Sequence, residues 1–256
     1  MQQHTPQHTP QRIVIVGATS SIAEHCARLW VAGNSVALTL VGRDADRLER
    51  VAADLRVRAG AGSRVDVRPV DFGDARAIRL LADALVAEGL PQQVLIAHGS
   101  LPDQQQCQRD LEAAADALDV NAVSPVLFAE AFAGHMEPVG GVITIIGSVA
   151  GDRGRRSNYV YGAAKGLVTR YAQGLQHRLA GSGSALRVVL VKPGPTATPM
   201  TAHLPQRGLA PVEQVARLIV QGSKAGKPVV YAPGKWALIM MVIRHLPAFV
   251  FNKMNI

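Results

Sequence analysis

Residues 13–23 read IVIVGATSSIA. Four consecutive β-branched residues make a strand candidate whose two faces are both apolar, as in a parallel sheet covered on both sides. Gly17 then supplies a turn, and a helical pattern begins at Ala23. A strand, a tight turn and a helix in this order are where a βαβ fold seats a pyrophosphate, on the free N–H groups and the dipole of the helix N-terminus. Glycine is needed there where φ is positive or where the backbone approaches the phosphate. Thr19, Ser20 and Ser21 add hydroxyl groups that cap the helix or touch phosphate, and Ala23 is small enough for close helix packing. On its own the stretch equally describes a serine-rich helix cap with no ligand.

The rest of the chain repeats the pattern. Strand candidates fall at 12–16, 35–41, 64–70, 93–97, 141–147, 186–192 and 228–231. Helical patterns lie between them at 23–32, 44–59, 74–88, 111–132, 159–180 and 211–222. Such alternation predicts right-handed βαβ units and a doubly wound α/β fold, a Rossmann-type parallel sheet of about seven strands with helices on both faces. Nothing divides the pattern, so residues 12–234 are expected to form one domain. A tail at 1–11 carries a QHTP duplication and a composition typical of disorder. An apolar, basic extension occupies 235–256.

The 256 residues carry a formal net charge of +8, but the cations are scattered. No clustered stripe or recognition motif points to nucleic acid; an anionic small substrate or an acidic membrane surface fits the charge better. Cys26 and Cys107 form no CxxC or Cys/His cluster, so no metal site is expected, and a reducing cytosol is the simple reading.

The most specific stretch is IGSVAGDRGRRSNYVYGAAKG at 146–166. Tyr161 and Lys165 are four apart, on one face of a helix. An ammonium beside a phenol is expected to lower the phenol's pKa from about 10, making it an acid/base near neutral pH. Ser148 stands at the carboxyl end of a strand, where ligands bind in such sheets, and its hydroxyl is placed to hold a carbonyl oxygen against Tyr161.

The order GATSSIA, Asn121, Ser148, Tyr161-Gly-Ala-Ala-Lys165 and Pro193-Gly194 resembles the short-chain dehydrogenase/reductase family, from Arg12 to about Tyr231. The resemblance implies hydride transfer between nicotinamide and a carbonyl or alcohol. Tyr161 would donate the proton and Ser148 orient the carbonyl. Lys165 would bind the nicotinamide ribose and tune Tyr161, with Asn121 supporting a water relay to Lys165. It places the cofactor against Gly17, Thr19, Ser20, Ser21 and Ile22; against Ala97, His98 and Gly99; and against Pro193, Gly194, Thr196 and Thr198. Asp71 and Phe72 would flank adenine, although Asp71 also fits a turn. Tyr159 lies on the other side of the helix and is expected to pack or line the pocket. The family's usual glycines are replaced by Ser21 and Ala23, and its Asn-Asn-Ala-Gly segment reads Ile96-Ala97-His98-Gly99. His98 is expected to support its loop rather than to do acid/base work. The second strand ends LTLVGRD, where Arg43 and Arg47 favour the 2′-phosphate of NADP over NAD, and Asp44 reads as a helix cap.

GDRGRRSNYVYGAAKG at 151–166, KPGPTATPMTAHLP at 192–205 and the tail WALIMMVIRHLPAFVFNKMNI at 236–256 carry a narrower resemblance, over roughly the last hundred residues, to the reductase subunits of decaprenylphosphoryl-ribose 2′-epimerase systems. It implies reduction of a 2-keto pentofuranose on a polyprenyl phosphate, completing a ribose-to-arabinose epimerisation for cell-wall glycan donors, with a flavin-dependent oxidase as partner; the alternatives are a reductase of a soluble ketone or acyl thioester and a non-catalytic scaffold subunit for a flavin oxidase. Arg153, Arg155 and Arg156 lie between Ser148 and Tyr161 and suit phosphate, because a guanidinium binds two oxygens at once; a solvated loop or subunit contact is the other reading. Met200 and His203 belong to an expected substrate lid at 198–208. The unbroken apolar run of the extension, Trp236 to Ile243, is far below the roughly 20 residues needed to span a bilayer. It fits a helix in the membrane interface, or one packed on its own domain or a partner. A homo-oligomer, cytoplasmic or peripheral on the inner membrane face, is expected.

Overall fold

The computed structural model describes residues 10–33, 35–203 and 205–254. Seven strands form one sheet: β1 (Gln11–Val16), β2 (Val36–Gly42), β3 (Arg64–Pro69), β4 (Gln93–Ile96), β5 (Gly141–Ile146), β6 (Leu186–Pro193) and β7 (Val229–Ala232). Their order is β3-β2-β1-β4-β5-β6-β7, and every pair is parallel. The order reverses between β1 and β4, which opens a crevice at their carboxyl ends. The predicted tail lies outside the described residues except for Pro10 and Gln11, and Gln11 already pairs with Val36 in the sheet.

The helices are α1 (Ser21–Gly33), α2 (Ala45–Arg58), α3 (Ala75–Glu88), α4 (Gln104–Arg109), α5 (Leu111–Leu118), α6 (Ser124–Met136), α7 (Tyr159–Ser182), α8 (Val212–Ala225), α9 (Lys235–His245) and α10 (Ala248–Phe251). Successive residues of β1 serve opposite cores. Ile13 and Ile15 pack with Trp30, Leu48 and Ile219 from α1, α2 and α8. Val14 and Val16 pack with Ile78, Phe128, Phe132 and Val168 from α3, α6 and α7. That double burial is why the strand reads as an unbroken apolar run.

Two differences from the sequence reading bear on the site. The pattern at 111–132 is not one helix: α5 and α6 are joined by a π-helical turn, Asp119–Val123, with Asn121 buried inside it. Such turns often re-aim a side chain at a functional site. The short α4 lies in the glutamine-rich stretch that carries no apolar stripe. It is started by Asp103, whose carboxylate accepts from Gln106 N at 2.8 Å, and Asp110 in turn caps α5. The extension is two helices, broken where Pro247 removes a backbone donor. Among the described residues no helix is long and apolar enough to cross a membrane.

Candidate active site

The loop after β1 turns at Gly17, with φ +80°. A β-carbon there would stand 2.5 Å from His98 N, so position 17 must be glycine on both counts. Gly17 N and Ala18 N both donate to Val41 O at the end of β2, at 2.8 and 3.1 Å. The N-terminus of α1 is thereby aimed into an outer cleft lined by Thr19, Ser20, Ser21 and Ile22 on one side and Arg43, Asp44, Arg47 and Phe72 on the other. Asp44 is engaged as the N-cap of α2, accepting from Arg47 N at 3.0 Å. Asp71 is exposed, lies outside the cleft lining, and closes a turn by accepting from Gly73 N at 2.9 Å. The turn reading describes this carboxylate oxygen.

An inner cleft continues from the outer one across His98, Gly99 and Ser20. Ser148, Tyr161, Lys165 and Asn121 line it together, with Pro193, Gly194, Thr196 and Thr198 from the loop after β6. Ala97 lies in the same wall, and Met200 reaches both clefts. The buried Lys165 donates to Ile146 O at 3.1 Å, and its Nζ stands 5.8 Å from the Tyr161 ring centre. Asn121 Oδ1 accepts from Ser100 N at 3.0 Å, while its amide donates to Ala117 O at 2.9 Å. Asn121 Oδ1 and Lys165 Nζ flank Gly99, 2.8 and 3.5 Å from where a β-carbon on it would stand.

The expected lowering of the phenol is reversed. Burial pushes the Tyr161 phenol up, against the opposing hydrogen bond of Ser148 and charge of Arg155. Burial also pulls the Lys165 ammonium down to about 8. Lys165 is turned to a backbone carbonyl, and desolvation of the phenol outweighs the Ser148 hydrogen bond and the Arg155 charge. Tyr161 is therefore held protonated at neutral pH, as a proton donor must be.

His98 stacks against Phe72 at 4.5 Å, and its Nε2 shares a hydrogen bond with Ser124 Oγ at 2.9 Å. Burial pulls its pKa down to about 3, helped by the charges of Lys165 and Arg43. It stays neutral and props the loop.

The three arginines part company. Arg155 lines the inner cleft, its charge acts on Tyr161, and its Nε is buried without a partner among the described residues. Arg153 points the other way: Nη1 donates to Ile243 O at 2.5 Å and Leu246 O at 2.6 Å, and the guanidinium lies 3.9 Å from the Phe251 ring centre. It caps the C-terminus of α9, so a substrate role for Arg153 is set aside. Arg156 and His203 are exposed and outside the lining of both clefts.

Sequence reasoning missed several positioning groups. Asp152 is buried in an ion pair with Lys192 of β6 and accepts from Tyr231 Oη at 2.8 Å. Burial and Asp152 push the Tyr231 phenol up to about 12. This anchors the loop carrying Arg155 to β6 and β7. Gln104 Oε1 accepts from Val160 N at 3.0 Å and so caps the first turn of α7. Trp236 covers Gly194: a β-carbon at 194 would stand 1.9 Å from its Nε1. These partners are distant in sequence, and only a lysine inside an apolar strand gave any signal of them.

A neutral phenol, a buried ammonium, a serine hydroxyl at the strand end and an anion-ready helix N-terminus in one crevice point to a nucleotide-dependent oxidoreductase. The chain belongs to the short-chain dehydrogenase/reductase family: the sequence profile of the short chain dehydrogenase family matches residues 11–208. It is an NAD(P)-dependent short-chain oxidoreductase. An uncharacterized oxidoreductase of Mycobacterium tuberculosis is 35% identical over 247 residues, covering 94% of this chain and 96% of the relative. A protein named sulfoacetaldehyde reductase 2, from Chromohalobacter salexigens, is 30% identical over 194 residues, 74% of each chain. A short chain dehydrogenase from Burkholderia cenocepacia, solved in complex with NADP, superposes with a TM-score of 0.80 at 18% identity, over 96% of this chain and 98% of the other.

Proposed function

We propose that this protein uses NADPH to reduce a carbonyl compound that carries an anionic group, and that the physiological substrate is a 2-keto pentofuranose on a polyprenyl phosphate. The observation that carries the reading is Arg155. A guanidinium with an unpartnered, buried Nε beside Tyr161 is costly unless an anion completes it. NADPH is favoured over NADH because Arg43 and Arg47 border the outer cleft while Asp44 is taken up as a helix cap. The NADP in the Burkholderia structure is consistent with this choice.

Reduced nicotinamide held by these residues would supply the hydride that reduces the carbonyl carbon. Tyr161 gives its proton to the carbonyl oxygen, which Ser148 holds. Lys165, with its pKa near 8, returns a proton to the phenolate, and Asn121 fixes the wall behind it. The ketone would come from a flavin-dependent oxidase acting on the corresponding alcohol.

A second reading, a short soluble anionic aldehyde, is favoured by the sulfoacetaldehyde reductase name of one relative. Nicotinamide absorbance should be followed with the lipid-linked keto-sugar, with sulfoacetaldehyde and with a neutral ketone, using NADPH and NADH. Turnover of the first with NADPH supports the proposal. Turnover of sulfoacetaldehyde alone replaces it with the second reading. If Arg155→Ala leaves KM for every anionic substrate unchanged, the role of Arg155 is wrong.

A further inference from the structure

Helix α9 has two apolar faces, and the fold uses one. Trp236, Met240 and Ile243 recur at helical spacing toward the domain: Met240 is buried, and Trp236 covers Gly194. Leu238, Met241 and Val242 lie on the opposite face and are 64%, 50% and 54% exposed. Phe249 on α10 is 71% exposed, with Val250 and Met254 partly so. Lys235, Arg244, His245 and Lys253 are exposed among them. After Glu213 the sequence contains no Asp or Glu.

We propose that this face of α9 and α10 docks on an anionic lipid bilayer. Apolar side chains ringed by cations, on helices too short to span, fit the boundary between headgroups and acyl chains. There the leucine, valine and phenylalanine side chains leave water while lysine and arginine meet lipid phosphates. Charge argues against a second copy of the chain as occupant. A two-fold contact sets the same patch on both sides, and this patch would oppose cations to cations with no acidic side chain on α9 or α10 to offset them. Docking is also coupled to the site. Arg153 ties the last turn of α9 and Phe251 to the loop that carries Arg155, and Trp236 ties the first turn to Gly194. The inner cleft therefore sits beside the docked face. The inference does not depend on the substrate proposed above.

The test is sedimentation of the full chain with vesicles of phosphatidylcholine alone and of phosphatidylcholine mixed with phosphatidylglycerol. Binding is expected to the mixed vesicles and to fall with salt. The double variant Leu238→Ser/Phe249→Ser should weaken it about tenfold or more, and so should the triple variant Lys235→Gln/Arg244→Gln/Lys253→Gln. Unchanged circular dichroism and NADPH binding would show that both variants fold. Failure of the wild type to sediment, equal binding to neutral vesicles, or undiminished binding by either folded variant would overturn the proposal. So would a shift from oligomer to monomer in the Leu238→Ser/Phe249→Ser variant without lipid, because the face would then belong to a second copy.

Discussion

His98 should make the fold acid-sensitive in a range where its carboxylates are still ionised. Its ring is enclosed by Phe72 and Phe128, with centres 4.5 and 5.6 Å away, and its pKa falls from 6.5 to about 3. The unfolded chain therefore takes up this proton first as pH falls. Stability is lost from the unfolded value of 6.5 downward, and the loss stops only near pH 3. At pH 5 the unfolded state is favoured by one and a half pKa units, or about 2 kcal/mol. The exact folded value does not matter at that pH, provided it lies well below 5. Urea unfolding at pH 7 and pH 5 measures the loss, and His98→Asn isolates it. The wild type should lose about 2 kcal/mol more than the variant over this interval. Ser124→Ala removes the Nε2 partner but keeps the buried ring, so its pH dependence should follow the wild type. Equal pH dependence in wild type and His98→Asn would refute the reasoning.

Tyr161→Phe keeps the ring and removes the proton donor; kcat/KM should fall by roughly 10²–10⁴-fold, with NADPH affinity, read by nicotinamide fluorescence, little changed. Asp152→Ala leaves the buried Lys192 without its partner, and thermal unfolding should show a loss of about 3–5 kcal/mol. Arg153→Ala removes two hydrogen bonds to carbonyls and the contact with Phe251. It should cost about 1–3 kcal/mol and make α9 and α10 the first segment cut in limited proteolysis, whereas an unchanged cleavage pattern would deny that Arg153 holds them.

The centre of the sheet was legible because β1, β4, β5 and β6 are buried on both faces and so read as apolar runs; β1 needed only one added residue, Gln11. The pairing of Ser148, Tyr161 and Lys165 was legible for a related reason, since strand end and helix register are local properties. What was not legible came from contacts between distant segments. The π-helical turn that buries Asn121 has no sequence period of its own. The direction of Arg153 is decided by carbonyls about ninety residues away. The rise of the Tyr161 phenol needs the degree of burial, which a four-residue spacing does not contain.

The glycine-poor cofactor loop follows the same logic. A glycine motif is a requirement on backbone conformation and approach, not on glycine number. In the loop from Gly17 to Ala23, only Gly17 has positive φ, and only there would a β-carbon strike the backbone of His98. Ser21 already begins α1, and Ala23 is packed in the core beside β1, so helical residues stand where a family glycine would only save space. The replacement at His98 completes the change, because its backbone and Cβ close on Gly17 while its ring packs against Phe72 and Phe128 and stays neutral. The crevice thus keeps an anion-directed helix terminus with one obligatory glycine, and its chemistry rests on desolvation. Burial keeps Tyr161 protonated and brings Lys165 near 8. A neutral phenol beside a buried ammonium is the state from which a proton can be given to an acceptor in the crevice.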